Sequence, residues 1–489
     1  MHSPYKWRII IIGVISIFHV ATGCEKFVVV EAPLTTVNED NVYKTDATAI
    51  AVLTGIYSRM ASDGLYSGSA GISLLSGLSA DELTLANVVA DNSLIAYYKN
   101  ELRTGPSENY GIDLWRGIFY YIYQCNAALE GLGDSGSLTP SVKKQLLGEA
   151  RFMRAFFYFY LVNFVGDAPL ALTTNVSVNV TLSRSSVPLV YQQIVADLKE
   201  AQQLLSEDFL NKDLQKYAGT PERVRPTKWA ATALLARTYL YQADYANAEI
   251  EASKVISNTI QFSLPALSSG FLKNSTEAIW QIQPVQNGRN TEDAFTFILP
   301  VTGPNANANP VYLSPQLLNA FEQGDLRRNG RNWVDSVIVS GNTYFYPAKY
   351  KATTFTSSGA VSEYLMVFRL AEQYLIRAEA RAQQNNIGGA QADLNTIRTR
   401  AGLPDTKAND QTALLTAVWK ERQVEFFTEW GHRWLDLKRT GNVDAIMSGV
   451  TPLKANGGPW QSYQQLYPVL YSDIQMNSHL SQNNGYQTP

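Results

Sequence analysis

Three glutamates recur at four-residue intervals, Glu421, Glu425 and Glu429, with Arg422, Arg433, Lys438 and Arg439 nearby in the chain. That spacing places carboxylates on one face of a helix. Paired carboxylates can serve as the acid and base of glycoside hydrolysis. Among so many cations they can equally form an ion network between packed helices, which is the expected reading here. Phe426, Phe427, Trp430 and Trp434 lie in the same stretch and are expected in the core rather than on a ligand platform. Other reactive chemistry is scarce. Of the four histidines, His2 and His19 precede residue 24, leaving His432 and His479. No histidine metal cluster follows from two residues, and a Ser-His-Asp triad would have to borrow one of them. There is no phosphate-binding glycine loop, CxxC or HExxH. No cofactor and no metal are expected. The 43 acidic residues leave a carboxylate-only hydrolase open as an alternative.

The two cysteines separate cleanly. Lys6 and Arg8 precede an apolar run over 9–20, then Ala21, Thr22, Gly23 and Cys24. A basic start, a short apolar run and small residues before the cut describe a secretory signal peptide over 1–23. The run is shorter than the roughly 20 residues that span a bilayer. A cysteine directly after the small residues predicts lipidation at Cys24, although Ala21 stands where such sites usually carry leucine. The alternative is an ordinary signal peptide with a cysteine there by chance. With Cys24 consumed, Cys125 has no disulfide partner and is expected as a buried thiol.

The elements that would position these groups are mainly helical. Residues 228–256 and 368–400 each read as two helices around a short turn. In each, a small residue of the first helix (Ala236, Ala378) lies twelve positions before one in the second (Ala248, Ala390). Two copies point to tetratricopeptide-like packing, with an ordinary helical hairpin as the bland alternative. Further helices are predicted over 46–60, 114–131, 140–165, 186–205 and 314–321, with Thr139 and Pro140 opening the third. Between 257 and 365 short strands are predicted at Phe262, 279–282, 295–299 and 344–346, amid Asn, Gly, Ser and Pro clusters. The predicted fold is mainly α: a helical-repeat scaffold (approximately 40–60, 114–256 and 366–440) carrying an irregular, loop-rich layer with short β-strands (approximately 61–113, 257–365 and 441–489). Formal charges of 40 positive and 43 negative give no basic patch for nucleic acid.

Blocks spread along the chain resemble the SusD/RagB family of outer-membrane lipoproteins from Bacteroidetes. They begin with Cys24, Glu25, Lys26, Phe27 and Pro33, then Gly148, Glu149, Ala150, Arg151 and Arg154 through Gly166, Asp167, Ala168 and Pro169. Arg184 to Val187, Asp197 and Leu198 follow, then Ser314, Leu317, Phe321, Asp325, Arg327 and Arg328. The later blocks are Arg369, Leu370, Ala371 and Glu372 with Arg377 and Glu379; Glu421 through Arg439; and Tyr467, Pro468, Ile474, Asn477 and 482–486. The resemblance covers nearly the whole chain, so 24–489 is expected to be one SusD-like domain.

The resemblance implies a cell-surface protein on the outer membrane that binds a nutrient, typically an oligosaccharide. It implies a SusC-like TonB-dependent transporter as partner, over which the protein closes as a lid without breaking bonds. The alternatives are a surface glycan hydrolase and a transporter subunit with no pocket of its own. Family contacts come from the loop after the first helix and from the irregular middle. The candidates there are Asp81, Asn92, Tyr97 and Tyr98 in the first region, and Asn287, Arg289 and Tyr312 in the second. Sugar recognition needs aromatic faces against pyranose C–H surfaces, with amide or charged groups on hydroxyls. Asp81 has the alternative of capping a helix from Glu82, and the two tyrosines that of packing on the scaffold. Only Trp280, Trp333 and Trp460 fall in loop-rich segments, so no tryptophan platform is evident.

Overall fold

In the computed structural model the described residues are 42–62, 68, 71–107, 109, 110, 113–286, 288–329, 332–353 and 361–488. Cys24 and Asn287 lie outside them. The first half carries α1 (Asp46–Ser62), α2 (Ile72–Ser79), β1 (Leu83–Leu85), α3 (Asn92–Lys99), β2 (Arg103–Thr104), β3 (Asn109–Tyr110), α4 (Asp113–Asp134), α5 (Pro140–Val165), α6 (Val176–Asn179), α7 (Val187–Leu204), α8 (Lys228–Tyr241) and α9 (Tyr245–Ile256). The second carries β4 (Ala278–Ile282), α10 (Glu292–Phe297), β5 (Val311–Leu313), α11 (Pro315–Ala320), β6 (Val334–Val339), β7 (Asn342–Pro347), β8 (Leu365–Arg369), α12 (Leu370–Gln383), α13 (Ile387–Arg400), α14 (Gln411–Glu425), α15 (His432–Arg439), α16 (Val443–Val450) and α17 (Tyr471–Met476). The fold is mainly α, as expected, and the strands form two-stranded ladders: β1 with β5, β2 with β3, β4 with β8, β6 with β7.

The paired hairpins share one turn. Ala243 at φ 57° and Asn385 at φ 60° reverse the chain. The next residue then caps the second helix: Asp244 accepts from the Asn247 N–H, and Asn386 from the Gly389 N–H. Ala236, Ala248, Ala378 and Ala390 are fully buried, so α8–α9 and α12–α13 close tightly, and α9 packs on α12 to stack them.

Helix α5 is the spine. It starts at Pro140, although the Thr139 side chain makes no cap, and it packs on α4 and α7. Arg154 donates from Nε and Nη2 to Asp197 on α7, at 2.8 and 2.7 Å, and from Nη1 to Asn126 on α4. Its aromatic run meets β4 and β8: the Phe156 ring lies 5.6 Å from Trp280, 6.0 Å from Phe368 and 5.6 Å from Trp430. Cys125 is buried and free, and burial pushes its thiol pKa up.

Several local expectations are corrected. Residues 295–299 are not a strand: Glu292–Phe297 is helical because Thr291 accepts from the Ala294 N–H and Glu292 and Asp293 sit in its first turn. Phe262 lies outside any strand. Leu83–Leu85 is a strand rather than a helix capped by Asp81, because it finds β5 as a partner. Two helices, α2 and α3, stand within the segment expected as loop. The β6–β7 hairpin turns at Ser340 and Gly341, both at positive φ, a two-residue connection suited to strand twist. Helix α14 stops at Glu425, so Glu429 is not on its face; Thr428 and Trp430 at positive φ swing it back instead.

Candidate functional site

The glutamate cluster is a buried ion network. Arg369 bridges Glu277, Glu425 and Glu429 at 2.9, 2.6 and 2.8 Å. Arg327 joins Asp325, Glu421 and Glu425 at 2.8, 2.6 and 2.8 Å, and Lys349 and Arg400 add contacts to Glu429 and Glu425. Burial pushes Glu425 up, but Arg400, Arg369 and Arg327 outweigh it and hold the carboxyl well below the usual range. Committed this way, these carboxylates join α13, α14 and β8 rather than offering an acid–base pair. Phe426, Phe427, Trp430 and Trp434 are core, as are Trp280 and Trp333.

A partly exposed aromatic group lies in the irregular layer. In the β1–β5 ladder Thr84 stands opposite Tyr312. Strand β7 packs beside β5 and sets Tyr344 edge-on to Tyr312, with ring centroids 5.1 Å apart at 83°. Helix α3 packs on β1; Asp91 caps its start by accepting from the Ser93 and Leu94 N–H groups, and Asn100 ends it in a left-handed conformation. This helix brings Tyr98 to the Thr84 hydroxyl and the Ala455 backbone, close enough to Tyr312 for the two phenols to interact electrostatically. The Lys454 ammonium lies 5.3 Å from the Tyr98 ring centre while donating to the Leu78 and Ser79 carbonyls. Burial raises the Tyr98 and Tyr312 pKa values, so both phenols are neutral at physiological pH. Tyr312 and Tyr344 are half-buried and Tyr98 is mostly buried. Chemically this is a set of π faces with hydroxyl groups.

The loop before β5 is held by amides. Asn305 accepts from the Asn307 and Ala308 N–H groups, and Asn309 donates to the Phe295, Thr296 and Ile298 carbonyls, tying α10 to β5. Gly303, at φ +80°, lets this loop lie on the hairpin; a Cβ there would meet Val339 at 2.9 Å.

Sequence-predicted residues therefore divide. Tyr98 and Tyr312 come together from the two expected regions. Asn92 is exposed at the start of α3. Arg289 is engaged by Glu292 at 2.6 Å and lies 3.8 Å from the Phe295 ring centre. Asp81 is buried and takes Nε and Nη2 of Arg433 at 2.7 Å each, while its carbonyl accepts from Ser314. Tyr97 is fully buried against Tyr467, centroids 5.4 Å apart. As ligand contacts, Asp81 and Tyr97 would first have to leave these partners. Tyr344 was legible only as part of an expected strand; Thr84 and Lys454 carried no sequence signal, since their place depends on β1–β5 pairing and on a distant C-terminal loop.

Beside the site strand, Glu82 is buried with Oε1 unpaired, and burial, then Asp81, push its pKa up to about 8. A folded pKa above the unfolded value means the native state holds the extra proton. Stability from this group is complete below about pH 4.5 and is lost as pH rises to about 8. Chemical denaturation at pH 5 and 8.5 is expected to show a smaller pH loss in Glu82→Gln than in the parent; equal losses would refute this assignment.

Residues 37–240 match the family described as "Starch-binding associating with outer membrane", and residues 339–486 match the SusD family. This chain is a SusD-like protein. A SusD-like protein of Formosa agariphila is 24% identical over 546 aligned residues, covering 99% of this chain and all of that one. Among solved structures, a SusD superfamily protein from Bacteroides vulgatus superposes with a TM-score of 0.75 at 21% identity, over 91% of this chain and 100% of that one. A laminarin-binding SusD-like protein superposes with a TM-score of 0.70 at 22% identity, over 91% and 100%. These likenesses establish the SusD-like fold. Among the described residues no helix is long and apolar enough to cross a membrane, and no group of three or more His, Cys, Asp or Glu could hold a metal ion.

Proposed function

We propose that this SusD-like protein is a non-catalytic, outer-membrane lipoprotein that binds an oligosaccharide at the cell surface and passes it to a SusC-like TonB-dependent transporter. Lipid on Cys24 would supply the tether. The observation that carries the reading is the tyrosine trio Tyr98, Tyr312 and Tyr344, gathered from α3, β5 and β7. Aromatic faces with neutral phenols suit pyranose rings, whose C–H faces are apolar and whose rims are hydroxyls. The names of the matching families and of the laminarin-binding structure point the same way. Ion pairing of Glu421, Glu425 and Glu429 disfavours a carboxylate hydrolase at that cluster.

Calorimetry on residues 25–489 with starch-type glucan and laminarin oligosaccharides tests this. Tyr312→Ala is expected to weaken binding about tenfold, or about 1.4 kcal/mol, with the melting temperature nearly unchanged. Unaltered affinity would remove the tyrosine trio from the site. Release of shortened products during incubation would overturn the binding-only reading, and failure to copurify with a TonB-dependent barrel would remove the delivery role.

A further inference from the structure

Helix α4 carries Trp115, Phe119 and Tyr123 at four-residue spacing, hence on one face. This face lines a groove of about 250 Å³ whose other walls come from Pro169–Leu182 and from α17 and the residues after it. That volume lies below the roughly 300–1,000 Å³ of pockets for drug-sized ligands, so it suits one or two small rings. Trp115 is deep, its ring centroid 4.8 Å from that of Phe119 and its indole N–H donating to Asp473 Oδ2 at 2.8 Å. Tyr123 is 45% exposed at the mouth. The aromatic row is therefore not simply core: it grades from a buried floor to an open edge.

The polar lining has a particular character. Asn126, Thr173, Asn179, Asn477 and Asp473 give it a lining of amide, hydroxyl and carboxylate groups, most of them held by protein partners such as Arg154, Glu130, Leu182 and Trp115, and no Lys, Arg or His is among the lining residues. Asn179 donates to the Thr173 carbonyl at 2.8 Å, but its Oδ1 is buried without a partner. A buried acceptor with no donor is unfavourable, and a ligand hydroxyl would satisfy it. Amides and a lone carboxylate beside aromatic rings favour a neutral polyhydroxylated ligand and disfavour an anionic one.

We infer that this groove is a second saccharide site, sharing no residue with the tyrosine trio, and that it takes the end of a neutral rather than a uronic or sulfated glycan. The inference rests on the glycan-binding reading above. Calorimetric titration of residues 25–489 with maltoheptaose, laminarihexaose and tetragalacturonate tests it. Two independent sites for a neutral oligosaccharide are expected. Tyr312→Ala should weaken one, and Tyr123→Ala or Asn179→Ala should weaken the other about tenfold, while Tyr123→Phe retains it. Asn179→Ala keeps the test available should Tyr123→Ala melt early. A single site, lost in Tyr312→Ala and untouched by the groove variants, would overturn this inference and leave the general function standing. Tighter groove binding of tetragalacturonate would overturn the neutral-ligand assignment. Weaker copurification of a protein partner with Tyr123→Ala at unchanged sugar binding would assign the groove to protein docking instead. No binding of any probe by any variant would overturn both readings together.

Discussion

Arg369→Met is expected to destabilise the protein by about 3–5 kcal/mol, because it removes one member of a buried network and strands the rest. The guanidinium donates to Glu277 Oε1, Glu425 Oε1, the Glu425 carbonyl and both oxygens of Glu429, all within 3.0 Å. Methionine fills similar volume but supplies no donor. Lys349, Arg400 and Arg327 would then have to hold the remaining carboxylates alone. Urea denaturation of the purified domain measures the loss. Lys212→Ala, which breaks the exposed pair to Asp213, is the control and should shift stability by less than about 1 kcal/mol. A loss that small for Arg369→Met would mean that the other cations fully compensate. The sign with pH is also set. Glu425 is held below the ordinary carboxylate range, so its contribution is present above the unfolded pKa and disappears as acid drives the folded group to protonate.

Phe156→Ala is expected to cost about 3–5 kcal/mol through the cavity left in the spine. The ring is fully buried and meets Phe157, Tyr160, Trp280, Phe368 and Trp430, with centroids 5.0–6.0 Å away. Those neighbours come from α5 itself, from β4 and β8, and from the turn after α14. One ring therefore couples the helical scaffold to the ladder beneath the irregular layer. Thermal unfolding followed by near-ultraviolet dichroism should show a lower midpoint and altered aromatic signals. Phe156→Leu should cost less, since it keeps more of the volume. Equal losses for Ala and Leu would indicate that ring geometry rather than cavity size governs the site.

How much of this could be read beforehand depends on the range of the interactions involved. Helix boundaries such as Pro140–Val165 and the two stacked hairpins followed from local signals, proline in a first turn and alanines at matched spacing, while the Asp244 and Asn386 caps emerged only with the structure. The ionic nature of the glutamate cluster was also legible, because carboxylates and guanidiniums alternate along one stretch. Its geometry was not. Glu429 joins through a turn with two residues at positive φ, and Arg327, Lys349 and Arg369 arrive from the irregular layer and β8. The strand expected at 295–299 failed because a capping threonine and an acidic first turn outweighed a short apolar run.

The candidate site shows the same division. Tyr98 and Tyr312 were sound residue types in plausible regions, but so were Asp81 and Tyr97, which the fold turns inward to Arg433 and Tyr467. Nothing in the local sequence separates these outcomes, since Tyr97 and Tyr98 are neighbours on one short helix and both are buried, and only their partners, Tyr467 for one and Thr84 with Tyr312 for the other, distinguish them. The amino-acid sequence by itself determined the mainly α scaffold, the family and the chemistry to search for, because each rests on short-range spacing or on ordered blocks. Tertiary structure decided which aromatic rings meet, which carboxylates are consumed and where a groove opens on α4. Those outcomes depend on pairings such as Thr84 with Tyr312 and Trp115 with Asp473, between segments hundreds of residues apart, whose energies exist only once the chain has closed on itself.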